Sequence, residues 1–144
     1  MSYTYDYPRP MVCVDIVVLR KATDSHEILL IQRLNEPFKD HWALPGGFIE
    51  MEEDLIDSAY RELEEETGIT QIQLQQLKTY GKPGRDPRGR TISVVFGGLL
   101  EEDQEAQAGD DAKETKWFSI AELPPLAFDH SLILEECLNM LISS

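Results

Sequence analysis

Soft metal ligands are scarce in this chain of 144 residues, which holds only two cysteines and three histidines. Cys13 and Cys137 stand alone in apolar segments, so they form no C-x-x-C pair and no disulfide framework, and read as buried, inert thiols. His26, His41 and His130 fall in no H-E-x-x-H pattern, which argues against a zinc site. Positive charge is also short: 13 Lys and Arg face 27 Asp and Glu, for a net charge of −14. That balance disfavours nucleic acid and anionic membranes as partners. No apolar run reaches the roughly 18 to 20 residues of a membrane span. The N-terminus, Met1-Ser2-Tyr3-Thr4-Tyr5-Asp6-Tyr7-Pro8, has no basic stretch followed by a hydrophobic one. A cytoplasmic location and one compact domain over residues 1–144 are the expectations.

What is present reads as alternating strand and helix patterns. Met11 to Leu19 and Glu27 to Arg33 are β-branched and apolar, separated by a polar turn at Lys21 to His26. Asn35 to Asp40 is a loop, and Trp42 to Phe48 is too punctuated by Gly and Pro for a helix. Asp54 to Thr67 places Leu55, Ile56, Ala59, Tyr60 and Leu63 at helical spacing, and Gly68 suits the left-handed residue that closes a helix. Gln71 to Tyr80, Thr91 to Leu100 and Thr115 to Phe118 predict strands. A basic Gly/Pro loop covers Gly81 to Arg90, and an acidic loop covers Glu101 to Asp111. Ser119 to Leu123 predicts one helical turn, and Asp129 to Leu141 an amphipathic helix. Mixed strands with two helices imply an α/β domain with helices packed on a sheet.

The first helix carries an unusual charge pattern. With about 100° per residue and Leu55 at 0°, Leu63 falls near 80°, Glu66 near 20°, Glu62 near −20° and Glu65 near −80°. Glu62 and Glu66 therefore border the apolar stripe, and the three carboxylates stand at i, i+3 and i+4, close enough to converge. Like charges at that spacing repel by roughly 0.2–0.5 kcal/mol per pair. Acids in the last turn also oppose the helix dipole, by about 0.3–1 kcal/mol each. A solvated glutamate-rich face, partly offset by Arg61, and a metal site both remain open on the helix alone. A hard divalent cation would resolve the conflict, because magnesium takes carboxylate oxygens and is commonly shared with substrate phosphates. The Gly46-Gly47 pair before it lets the backbone approach a ligand closely. It is no Walker loop.

Written out, Gly47, five residues, Glu53, seven residues, then Arg61-Glu62-Leu63-Glu64-Glu65-Glu66-Thr67-Gly68-Ile69 resembles the Nudix box at every defining position. The resemblance implies an α/β/α sandwich around a mixed β-sheet, and hydrolysis of a nucleoside diphosphate derivative by water, without a covalent intermediate. It implies Mg²⁺, with Mn²⁺ as a substitute, on Glu62, Glu65 and Glu66, with the Gly47 carbonyl as a further ligand. Glu53 and Arg61 would support those carboxylates. An acid outside the box commonly assists in this family; among Asp110, Asp111 and Glu114, the position relative to Trp117 favours Asp111.

Outside the box the chain is similar to ADP-ribose pyrophosphatases and to related Nudix transcriptional regulators. Tyr7-Pro8-Arg9-Pro10, Trp42-Ala43-Leu44-Pro45-Gly46-Gly47, the segment from Gly84 to Arg90, and Gly109-Asp110-Asp111-Ala112 before Trp117-Phe118 carry that likeness. Lys82, Arg85, Arg88 and Arg90 fall close together in a chain poor in cations, and Arg suits planar two-point contacts with phosphate. Arg85, Arg88 and Arg90 are thus candidate substrate contacts. Trp42 and Phe48 are candidates to stack on a base, with core packing equally open for Trp42. The segment after Pro125 is too short for the regulators' winged-helix domain. ADP-ribose, cut to AMP and ribose 5-phosphate, is the expected substrate. The alternatives are a MutT-like nucleoside triphosphate pyrophosphatase acting on oxidised dGTP, and a non-catalytic nucleotide-sensing module. The expected partner is a small-molecule nucleotide, with no nucleic acid and no membrane, and a homodimer is left open.

Overall fold

The computed structural model describes residues 4–102, 104, 106–109 and 112–142. Seven strands form one sheet: β1 (Met11–Lys21), β2 (His26–Arg33), β3 (Trp42–Ala43), β4 (Gly46–Phe48), β5 (Gln75–Tyr80), β6 (Thr91–Leu100) and β7 (Ala112–Ser119). Helix α1 (Leu55–Thr67) follows β4, and α2 (His130–Leu141) follows β7. The main path runs β3-β2-β1-β6-β5, with β4 paired to β1 and β7 to β2. Among the strand pairs of the described residues only the long β1–β6 pair is parallel, so the sheet is mixed.

The period-2 alternation of β1 splits its side chains between two cores. Val14, Ile16 and Val18 pack with Ala59 and Leu63 of α1. Val17 and Leu19 pack with Ile133, Leu134 and Cys137 of α2. One helix therefore covers each face, the sandwich that the motif implied. Asp15 shares the odd register of β1 and so belongs to the α2 side.

β1 and β2 pair only from Leu19↔Ile28 to Lys21↔His26. Beyond that point they diverge. β1 takes β4 as its neighbour, with Asp15 opposite Gly46 and Val14 opposite Gly47, while β2 takes β3 and β7. A gap opens between the two halves of the sheet, and its walls come from segments distant in sequence.

Several boundaries depart from the sequence expectation for local reasons. The predicted loop at Trp42 to Phe48 contains β3 and β4, interrupted at Leu44-Pro45. The strand predicted from Gln71 begins only at Gln75. The Thr70 and Gln71 amides go to the Gln104 side chain, and the Leu74 amide goes to the Tyr60 hydroxyl, so they are withdrawn from the ladder. β7 extends over the whole of Ala112–Ser119 because β2 offers a partner along that length. The helical turn predicted at Ser119 to Leu123 is a single turn, with Glu122 N donating to Ser119 O at 3.0 Å.

Candidate functional site

The opening between the half-sheets is a cleft of about 530 Å³. Its walls include Gly46, Gly47 and Phe48 of β4, Glu62 and Glu66 of α1, Asp15 of β1, Arg33 of β2, and Phe128 and His130 at the start of α2.

Helix α1 is placed by its two ends. Asp54 caps it by accepting from Leu55 N at 2.7 Å, and Gly68 closes it at φ 78°, its N–H donating to Glu64 O. Two orphan carbonyls of the last turn are satisfied by a remote loop: Gln107 N donates to Thr67 O at 2.8 Å and Gly109 N to Glu66 O at 3.0 Å. This is why a glycine stands at 109. A Cβ there would lie 1.9 Å from Glu65 O.

Along the helix, the three glutamates meet three environments. Glu66 is 7% exposed, the Glu62 side chain 13% and the Glu65 side chain 58%. The order follows the helix angles, with Glu66 nearest the apolar stripe and Glu65 furthest out. Arg61 binds across Glu62 and Glu65. Its Nη1 donates to Glu62 Oε1 at 2.7 Å and to Glu65 Oε2 at 3.3 Å, while Nη2 donates to the Phe48 carbonyl at 3.2 Å. Its Nε donates to Glu53 Oε2 at 2.8 Å, and Ser58 Oγ donates to the other Glu53 oxygen at 2.7 Å. Those hydrogen bonds, the one from Arg61 first, hold the Glu53 carboxyl down to about 2. The paired carboxylates in turn raise Arg61 above the ordinary guanidinium range. Glu53 and Arg61 thus form a clasp that joins β4 to the acidic face of α1.

Spacing suggested that the three carboxylates would converge, and here the structure differs. Among the described residues no three Asp, Glu, His or Cys side chains meet as a metal cage. Arg61 lies between Glu62 and Glu65 and supplies the positive charge that their repulsion calls for. The donor set still suits a hard divalent cation, being carboxylate and carbonyl oxygen throughout. Glu62 lies against the Gly47 backbone so closely that a Cβ at Gly47 would be 2.5 Å from its carboxyl carbon.

The basic loop divides into distinct roles. Arg85 lines the cleft, yet its side chain is only 6% exposed and is bound to Asp129 by Nε at 2.8 Å and Nη2 at 2.7 Å. It also donates to Ser93 Oγ at 2.7 Å. Arg88 lines the cleft held by Asp86, with its guanidinium 5.1 Å from the Phe48 ring centroid and 5.0 Å from that of Phe128. Arg90 does not line it; its side chain donates to the Gly81 carbonyl. Trp42 also lies elsewhere. It packs edge-on against Phe118, ring centroids 4.8 Å apart, in the core beneath α2. Phe48 is an exposed wall of the cleft, as a stacking surface requires. Asp111 and Asp110 lie outside the described residues. Glu114 is exposed on β7 opposite Gln32 and does not line the cleft.

Sequence reasoning missed Arg33, Asp15, Phe128 and His130. Arg33 ends β2, donates through Nε to Pro37 O at 2.7 Å, and lies 4.9 Å from the Phe128 centroid. Among the described residues it is the cleft arginine with no carboxylate within ion-pair distance. Burial and the nearby Arg88 lower its pKa, against a contrary pull from Glu66. No local pattern separates it from an ordinary strand-end arginine. Its position opposite Glu66 depends on the divergence of β1 and β2.

Comparison with known proteins agrees with this geometry. A family profile described as the NUDIX domain matches residues 9–137. An ADP-ribose pyrophosphatase of Methanocaldococcus jannaschii is 44% identical over 131 residues, spanning 90% of this chain and 74% of that protein. An ADPR-responsive transcriptional repressor of Acinetobacter baylyi is 37% identical over 135 residues, spanning 91% of this chain and 54% of the repressor. Among solved structures, the NUDIX domain of NrtR from Shewanella oneidensis, crystallised with ADP ribose, superposes with a TM-score of 0.88 at 33% identity. That match covers 96% of this chain and 94% of the other.

Proposed function

The chain belongs to the Nudix family and is a Nudix hydrolase, and we propose that it hydrolyses the diphosphate bond of ADP-ribose to AMP and ribose 5-phosphate. One observation carries the reading: a single cleft joins Glu62, Glu66 and the Gly46-Gly47 backbone to Arg33, which makes no ion pair among the described residues, and to the aromatic walls Phe48 and Phe128. Phosphates need the first part and a stacked base the second. The names of the two relatives and the ADP ribose in the superposed domain support the same substrate.

In this mechanism Glu62, Glu65, Glu66 and the Gly47 carbonyl are the groups that would hold a divalent metal, Mg²⁺ or Mn²⁺. A bound divalent ion would polarise the phosphoryl oxygens and lower the pKa of the attacking water. Water adds to one phosphorus, and the bridging oxygen leaves with the other phosphate. The protein's own residues position these parts. Glu53 stays ionised through Arg61 and Ser58, and Arg61 fixes Glu62 relative to the β4 backbone. Arg33, which makes no ion pair among the described residues, offers its guanidinium to the phosphate oxygens, which favours a bidentate contact.

A substrate panel with product identification tests the proposal. The expected kcat/KM is highest for ADP-ribose, with AMP and ribose 5-phosphate as products. A tenfold preference for oxidised dGTP, about 1.4 kcal/mol in the barrier, would replace it with the MutT-like reading. Tight binding of ADP-ribose without turnover would point to a sensor. In the same assay Arg33→Ala should lower kcat/KM by roughly tenfold or more, as loss of a charge-assisted contact of about 1.5–3 kcal/mol requires. Arg90→Ala should leave it near wild type. Equal effects of the two changes would remove Arg33 from the site.

A further inference from the structure

The cleft floor holds a carboxylate that the hydrolytic chemistry above does not use. Asp15 lines the cleft from β1, with its side chain 10% exposed. Its neighbours are committed elsewhere. Arg85 is bound to Asp129 and Ser93, Arg88 to Asp86, and Cys13 Sγ lies 2.9 Å from Ser93 Oγ. Among the described residues the one basic group within ion-pair distance of Asp15 is His130, whose Nε2 is 3.8 Å from Oδ1, beyond hydrogen-bond length.

His130 makes this geometry informative. It is buried at the first residue of α2, and burial lowers its pKa, so the ring is neutral at neutral pH. Its Nδ1 lies 3.0 Å from Leu44 N, which donates to it. The ring proton therefore sits on Nε2, turned toward Asp15 without closing the gap. Burying a carboxylate with so few donors is unfavourable. The remaining donors have to come from whatever fills the cleft.

The geometry points to Asp15 as a specificity site that accepts hydrogen bonds from an uncharged donor group of the substrate, either paired sugar hydroxyls or an exocyclic base amine. This rests on the nucleoside diphosphate reading of the cleft. A phosphate has no place there, since its oxygens cannot donate and its charge repels the carboxylate. The arginine-bearing wall at Arg33 and the box take the phosphates; Asp15 reads what is attached to them. Both donor types match a two-oxygen acceptor, and both occur on ADP-ribose.

The test measures kcat/KM for ADP-ribose, for its hypoxanthine counterpart, and for an analogue whose terminal ribose lacks the two vicinal hydroxyls. Wild type is compared with Asp15→Asn and Asp15→Ala, with binding by calorimetry in chelator and thermal unfolding run alongside. Wild type should prefer ADP-ribose at least tenfold over one analogue, and Asp15→Ala should shrink that ratio to near one. The analogue that loses the preference identifies the donor, amine or hydroxyl pair. Asp15→Asn, which keeps one acceptor oxygen and the side-chain shape, should fall between the two and stay folded. Wild-type turnover of ADP-ribose with ratios unmoved in both variants overturns the Asp15 site alone. A uniform loss across all three substrates does the same, because it would mark a purely structural residue. Wild type that neither binds nor cleaves any of the three overturns the nucleotide reading as well.

Discussion

Changing Glu66 or Glu62 to Gln is expected to lower turnover by on the order of 10²–10³-fold, the scale for removing a principal electrostatic group at a reacting centre, while the fold persists. Glu66 is buried against the core beside the cleft, and Glu62 lies against Gly47, so each has one position from which to act. Glu65 is more than half exposed and shares Arg61 only at 3.3 Å. Its replacement by Gln should cost less than either of the others. Stability should hold because Gln preserves volume and removes one member of a repelling set, a relief of roughly 0.2–0.5 kcal/mol per pair. Arg61 keeps its strongest partner, Glu53, in all three variants. Rates over a Mg²⁺ titration, with circular dichroism to establish folding, provide the check. Folded Gln variants at Glu62 and Glu66 with wild-type rates would remove the box helix from the reaction.

The adjacent glycines should separate fold from function. A Cβ at Gly46 would lie 2.2 Å from Val14 O and 2.6 Å from Asp15 Oδ1. The first of these is backbone of the paired strand, so Gly46→Ala has to push β4 away from β1. Overpacking of this kind costs about 1–3 kcal/mol, and a lower melting temperature is the expected result. At Gly47 the three atoms nearest the Cβ would all belong to the Glu62 carboxyl group, at 2.5–2.7 Å. That is the far end of a flexible side chain, which can swing aside. Gly47→Ala should therefore melt close to wild type yet lose activity on the order of 10²-fold, as a displacement of about 1 Å at a reacting group can do. Parallel melting curves and kcat values test both. If Gly47→Ala keeps full activity, the Glu62–Gly47 apposition plays no part in the reaction.

The two helices and their differing packing show where sequence reading succeeds. Helix α1 was legible from Asp54 to its closing Gly68, because periodicity and termination act within a few residues, while the capping role of Asp54 emerged only in the structure. The burial order Glu66, Glu62, Glu65 also followed from helix angles alone. Helix α2 was legible as an amphipathic segment, but nothing local announced that its first residue, His130, would reach the amide of Leu44 and face Asp15. The choice between stacking and core packing for Trp42, and the place of Arg90, were undecided by the sequence for the same reason. Each adjoins a glycine-rich motif, yet Trp42 turns to Phe118 and Arg90 to Gly81.

By itself the sequence carried the Nudix resemblance, both helices and the long strands, each encoded by spacing within its own segment, whereas the clasp of Glu53 and Arg61 came only as what that resemblance implied. Only the tertiary structure decided the cleft. Its walls exist because β1 and β2 part after Leu19↔Ile28, one pairing with β4 and the other with β3 and β7. That choice of partners brings Asp15, Arg33, Phe128 and His130 together across more than half the chain. Strand pairing between distant segments leaves no periodic trace in any one of them, because side-chain alternation records which face a residue takes and not which strand lies beside it.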